Sequence, residues 1–174
     1  MRKVILTSLA LCAAALLAVP AYAQPAPAAP PAASAAPPAP PPGYGAPISL
    51  EQAKAAVAAA DAEAKKNGWN MVIAIVGPTG ETIYLQKADL APNGSIGIAQ
   101  EKARASALFR APTKAHQDRL AGGETYLLRL TGSMPIAGGV PIVVGGKVIG
   151  AIGISGASAL QDHQVAVAGA AAVK

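Results

Sequence analysis

The sequence predicts an α+β fold, an antiparallel sheet of about five strands flanked by helices, in a single domain spanning residues 48–174. Three observations lead to it. Apolar residues recur at helical spacing in separate stretches, β-formers gather in short runs, and those runs come in pairs whose turns are too short for anything but antiparallel pairing. The bulk composition conceals this, because the 174 residues are 52% hydrophobic and only 13% charged, about half the charge of an ordinary domain. Gln24 to Pro47 alone holds ten of the 16 prolines, so the totals average over unlike segments.

The chain opens with Arg2-Lys3, an apolar run from Val4 to Val19, Pro20 and the small-residue box Ala21-Tyr22-Ala23. A basic start, a short apolar stretch and an A-x-A box read as a secretory signal peptide over residues 1–23, cut after Ala23. The apolar run is shorter than the ~20 residues that span a bilayer, so the mature chain is expected to carry no membrane span and to be periplasmic or secreted. Cys12 is the only cysteine, and Leu11 before it is too large for a lipoprotein cleavage box. A mature chain without cysteine excludes disulfides, thiolate nucleophiles, Cys-held zinc or iron–sulfur clusters and C-x-x-C-H haem attachment. Loss of Arg2 and Lys3 leaves 12 basic against nine acidic residues, a balance too mild for a nucleic-acid partner. Residues 24–47 are nearly all Pro and Ala with no charge. Proline fixes φ and withholds donors while alanine offers too little area for a core, which predicts an extended, partly polyproline II linker.

Within the domain, Ser49 and Gln52 form a capping box, and Leu50, Ala53, Val57, Ala60 and Ala64 follow at helical spacing up to the stop signal Asn67-Gly68. Trp69 to Val76 and Thr82 to Gln86 are β runs joined at Gly77-Pro78-Thr79-Gly80, and Lys87 to Gly94 reads as a loop. Ser95 starts a helix through Phe109 that Pro112 stops, and Thr113 caps a short helical turn carrying Lys114, His116 and Asp118 before Gly122-Gly123. Val140 to Val144 and Lys147 to Ser155 form a hairpin across Gly145-Gly146, and Ser158 to Val173 supplies the last helix.

Chemistry-bearing residues are sparse. The two histidines, His116 and His163, are far apart in sequence, and a zinc site needs three or four converging ligands. Gly153-Ile154-Ser155-Gly156-Ala157 approaches a nucleophile elbow, but Ala157 breaks the motif and Asp162-His163 follow too closely to return as separate catalytic loops. The four aromatics within residues 48–174, Trp69, Tyr84, Phe109 and Tyr126, are too few for stacking platforms on sugars or single-stranded nucleic acid.

A family resemblance is carried by Gly138-Gly139-Val140-Pro141-Ile142, then Gly145 to Gly156, then Gln161-Asp162 and Ala166 to Gly169, with Lys102-Ala103-Arg104-Ala105-Ser106-Ala107 through Phe109 and Pro112-Thr113 upstream. Together these resemble the GlcG/HbpS family across essentially all of residues 48–174. The resemblance implies an α/β domain with a five-stranded antiparallel sheet and a homo-oligomer. Branches of that family include secreted haem-binding proteins, some haem-degrading and working beside a sensor kinase. Others are the cobalamin- or haem-binding C-terminal domain of PduO-type adenosyltransferases and a branch encoded with glycolate oxidation genes. The export signal favours an exported haem-binding protein that sequesters or senses haem, with an envelope sensor as partner and haem breakdown as an accompanying activity. Cobalamin is the less favoured ligand. An oligomeric interaction module and a protein of hydroxy-acid metabolism are the alternative readings.

In the haem-binding branch a threonine near the end of the central helix is linked to haem contact, and Thr113 is the matching residue. His116, one helical turn on, would offer a neutral imidazole to iron, and Arg110 or Lys114 would pair with a propionate. His163 and Met134 are weaker candidates.

Overall fold

The computed structural model describes residues 40–174. The predicted signal peptide and the linker up to residue 39 lie outside the described residues.

Ser49 closes its capping box with Gln52 and starts α1 (Leu50–Lys66), whose buried stripe is Ala53, Ala56, Val57, Ala60 and Ala64. Leu50, expected to head that stripe, stands exposed at the first turn. β2 (Val72–Val76) is buried on both faces, and β3 (Thr82–Lys87) pairs with it antiparallel. The structure then runs through α2 (Ser95–Phe109), α3 (Thr113–Ala121) and a 3₁₀ turn over Thr125–Leu128. β4 (Gly139–Val144) and β5 (Lys147–Ser155) form the second hairpin. Its turn residues Gly145 and Gly146 have φ of +56° and +74°, which only glycine adopts cheaply in succession. A second capping box, Ser158 with Gln161, opens α4 (Ala159–Ala171).

β5 is the centre of the sheet. β4 lies antiparallel along one side of it, and β2 lies antiparallel along the C-terminal half of the other side, with β3 outside β2. The remaining strand, β1 (Gly43–Tyr44), runs parallel to β5 opposite Lys147 and Val148. Because β4 occupies the opposite side of β5, β1 continues the line of β2. The sheet is therefore mixed, with four strands antiparallel as expected and one parallel. The parallel strand comes from the stretch read as linker. Pro42 to Pro47 is not free of the domain, since the Gly45 amide donates to Val148 and the Ile48 amide to Ile149. Two residues within a proline-rich stretch carry no periodic signal, so only the partner strand reveals the pairing.

Alternation along the strands sorts the core into two layers. Ile73, Ile75, Ile152 and Ile154 face α1 and α4, while Val72, Ala74, Val76 and Ala151 face Ala99, Ala103 and Ala107 of α2. Helix α2 lies directly on the backbone of β5. A Cβ at Gly153 would meet the Ala99 carbonyl and come within 2.8 Å of the Ala103 Cβ, so alanine on the helix and glycine on the strand set the interlayer distance.

Candidate functional site at the turn between α2 and α3

The four residues singled out from the sequence fall on the turn between α2 and α3 and on the first turns of α3. Arg110 is the C-cap of α2 and adopts the left-handed conformation, φ 52° and ψ 36°, the one non-glycine residue with positive φ among the described residues. Pro112 occupies the N-cap of α3 and cannot donate from its nitrogen, which ends α2 and frees Thr113 to begin the next helix.

Thr113 is not the cap the sequence predicts. It is the first residue of α3, fully buried, and its hydroxyl accepts a 2.9 Å hydrogen bond from the Gly139 amide at the start of β4. The hydroxyl is turned away from its own helix end because the edge of the sheet offers an otherwise unpaired amide. The Gln117 side chain repeats the device one turn later, accepting 2.8 Å from the Ala137 amide. These two bonds dock α3 on the chain entering β4.

His116 is buried, 6% exposed. The Phe109 ring meets it edge-on at 5.0 Å. Its Nδ1 is buried and has no hydrogen-bond partner. Burial pulls the imidazole below its ordinary value of 6.5, and the Arg119 guanidinium pushes it the same way, so the ring is neutral at pH 7. Leu108, Tyr126, Leu128, Leu130 and Ile136 expose apolar surface on α2, the 3₁₀ turn and the loop that follows it. The loop passes close by, because a Cβ at Gly132 would come within 4.0 Å of both Leu108 and Phe109.

Lys114 is engaged at the surface with Asp118, 2.6 Å away on the next turn. Arg110 donates from Nη1 to the Pro42 carbonyl at 3.1 Å and stacks its guanidinium 5.3 Å from the Tyr44 ring centre. The Tyr44 hydroxyl lies 3.1 and 2.9 Å from the carbonyls of Ala107 and Leu108 and donates to that helix end. Tyr44 was invisible as a site residue because it lies in the proline-rich stretch. Phe109 was legible only as a core position.

His163 stands apart from His116. It is on α4, its Nδ1 is also buried without a partner, and the charges acting on it are Lys114 and Asp118. Lys114 and Asp118 lie on the face of α3 opposite His116. The two imidazoles therefore flank α3 and do not converge. No cluster of three or more His, Cys, Asp or Glu side chains exists among the described residues. Met134 lies half-buried in the loop before β4.

Behind the site is a buried ion pair that sequence reasoning missed. Lys102 of α2 and Asp162 of α4, 1% and 2% exposed, meet at 2.7 Å. Lys102 also donates to the Ile154 carbonyl at 3.0 Å, and Asp162 accepts from the Ala157 amide at 3.1 Å. Burial pushes the Asp162 carboxyl up, while the Lys102 ammonium and that amide draw it down. Gly138 makes room for the pair, since a Cβ there would fall 2.8 Å from the Lys102 ammonium. The available signal was a lysine set among Ala99, Ala103 and Ser106 on an apolar helix face. Both Asp162 oxygens are engaged, so it does not orient His163, and the near-motif at Ser155 has no relay behind it.

A separate groove of about 380 Å³ lies between the C-terminal half of α1 and the end of β3, lined by Asp61, Lys65, Asn70, Gln86, Lys87 and Asp89. It contains none of the four residues, and its charged lining does not suit an apolar macrocycle.

Comparison with known proteins places this arrangement. Residues 48–171 match the family model described as "Haem degrading protein HbpS-like". The chain is 39% identical to Protein GlcG of Escherichia coli K12 over 108 residues, covering 62% of this chain and 81% of that protein. It is 34% identical, with a TM-score of 0.69, to the crystal structure of a double mutant of Streptomyces reticuli HbpS, covering 81% of this chain and 99% of that one. The match spans both hairpins, all four helices and the turn that carries Arg110, Thr113 and His116, and the chain belongs to the HbpS-like family.

Proposed function

We propose that this chain is an exported haem-binding protein that holds the tetrapyrrole at the α2–α3 turn, with His116 as the iron ligand. The observation that carries the reading is His116 itself. Of the four candidates it alone keeps a buried polar atom without a partner, on an imidazole that burial lowers from its ordinary value, and the Phe109 ring packs against it. A neutral imidazole beside apolar surface is the donor that haem iron takes, and membership of the HbpS-like family supports the ligand class. Bound there, haem would supply redox chemistry at its iron, and His116 would supply the imidazole that holds it. Thr113 has a positioning part, since its hydroxyl is committed to Gly139. Lys114, committed to Asp118, has none.

Sequestration or relay of haem to an envelope sensor, in a homo-oligomer, is the role proposed. The exposed Leu128, Leu160 and Val167 support self-association. Light scattering on the mature chain is expected to give a multiple of the monomer mass. Degradation is proposed as an accompanying activity, read as loss of tetrapyrrole absorbance over a protein-free control when the complex meets reductant or peroxide.

Titration of the mature chain with hemin tests the reading. A saturable Soret shift is expected for the wild type, with cobalamin giving no saturable change. His116→Ala is expected to lose the imidazole-ligated spectrum, while Lys114→Ala keeps it. A wild-type chain without a saturable shift, or a His116→Ala spectrum identical to the wild type, overturns it.

A further inference from the structure

Arg110 occupies a backbone conformation that favours glycine. Helices commonly end with a left-handed residue, usually Gly, and a longer side chain there is uncommon and strained. The side chain retained at this position is held by a segment from far away in sequence. Pro42 accepts from Nη1 at 3.1 Å, and the Tyr44 ring lies under the guanidinium at 5.3 Å. Tyr44 is itself fixed through its hydroxyl to Ala107 and Leu108 and through its backbone to β5. Gly45, next in the segment, is packed so that a Cβ would come 3.1 Å from Ile149 and Lys147. Among the described residues Arg110 has no carboxylate partner, unlike Arg104 and Arg119, which pair with Glu101 and Glu124. Pro42 uses one of its five N–H donors.

We propose that residues 42–45 are a working part of the ligand site, a strap that orients Arg110 as a receptor for a ligand carboxylate, with Tyr44 as the positioning residue. A planar guanidinium clamped by an aromatic face and one carbonyl loses less freedom when it forms a bidentate pair with a carboxylate. The inference rests on the α2–α3 turn being the ligand site, and it adds a selectivity: acidic tetrapyrroles over esterified ones. It also assigns a function to the last residues of the proline-rich stretch.

The experiment compares hemin with hemin dimethyl ester, which lacks the carboxylates, on the wild type, Arg110→Ala, Tyr44→Ala and the double variant. Arg110→Ala and Tyr44→Ala are each expected to weaken hemin about tenfold, the scale of one charge-assisted contact. Neither is expected to change the affinity for the ester, and the double variant is expected to be no weaker than Arg110→Ala. Equal losses for both ligands mark general damage to the fold and overturn the proposal, as does no loss for either. A second arm needs no haem: the Arg110 Nε–H signal in ¹⁵N NMR is expected to report a restrained side chain in the wild type and a mobile one in Tyr44→Ala. If Arg110 is mobile in the wild type the strap proposal falls, whether or not hemin binds. If it is restrained but hemin does not bind, the haem reading falls alone.

Discussion

A lysine and an aspartate that exclude water from each other illustrate how single residues hold this molecule. Lys102 and Asp162 tie α2 to α4, and removing one partner strands the other charge in a dry interior. Lys102→Ala is expected to lower stability by about 3–5 kcal/mol, measured as a shift of the urea midpoint. The paired change Lys102→Met with Asp162→Leu is expected to recover much of that loss, because no uncompensated charge remains. His116 differs from that pair: burial lowers its imidazole from the ordinary value, and its buried Nδ1 has no hydrogen-bond partner.

At the scale of elements, glycine decides which surfaces can touch. Gly153 lets α2 rest on β5, and a methyl there collides with the Ala99 backbone. Gly153→Ala is expected to cost at least the ~1–3 kcal/mol of an overpacked core. Gly97, inside α2, has open space where a methyl group would stand, with nothing within 4 Å, so Gly97→Ala is expected to stabilise by about 0.5–1 kcal/mol through helix propensity alone. Thermal unfolding of the two variants side by side checks the contrast. The same scale explains the turn at Arg110 to Thr113. Proline stops α2, the left-handed Arg110 turns the chain, and Thr113 fastens α3 to β4, so the candidate site stands where three elements meet.

For the whole molecule, the two histidines set a pH dependence. Burial lowers both His116 and His163 from the ordinary 6.5, so below that value the unfolded chain binds protons that the folded chain refuses. Stability is expected to be level above about pH 6.5 and to fall as pH drops through the window between the unfolded and folded values. His116→Gln is expected to flatten part of that slope, read from urea midpoints between pH 5 and 8. The groups facing these rings enter the same account. Arg119 adds to the depression at His116, and at His163 Lys114 adds to it while Asp118 opposes it.

Much of this fold was legible because its signals are local. Capping boxes at Ser49 and Ser158, the Gly145-Gly146 turn and the stop at Pro112 act within a few residues, so α1, α2, α4 and the second hairpin follow from the chain alone. The candidate site was legible in part: the stretch from Arg110 to His116 was found by resemblance, yet the roles within it depend on distant partners. Thr113 changes from cap to crosslink because of Gly139, and the burial of His116 against Phe109 depends on how α2 and α3 meet. Arg110 gains a strap because Tyr44, 66 positions earlier in the sequence, lies beside β5. By itself the sequence determined the α+β class, the order of the four helices and the four antiparallel strands, and the family. Only the tertiary structure decided the parallel strand, the Lys102–Asp162 pair and which of the four candidate side chains is left free, because burial and pairing depend on residues far apart in sequence that local patterns do not connect.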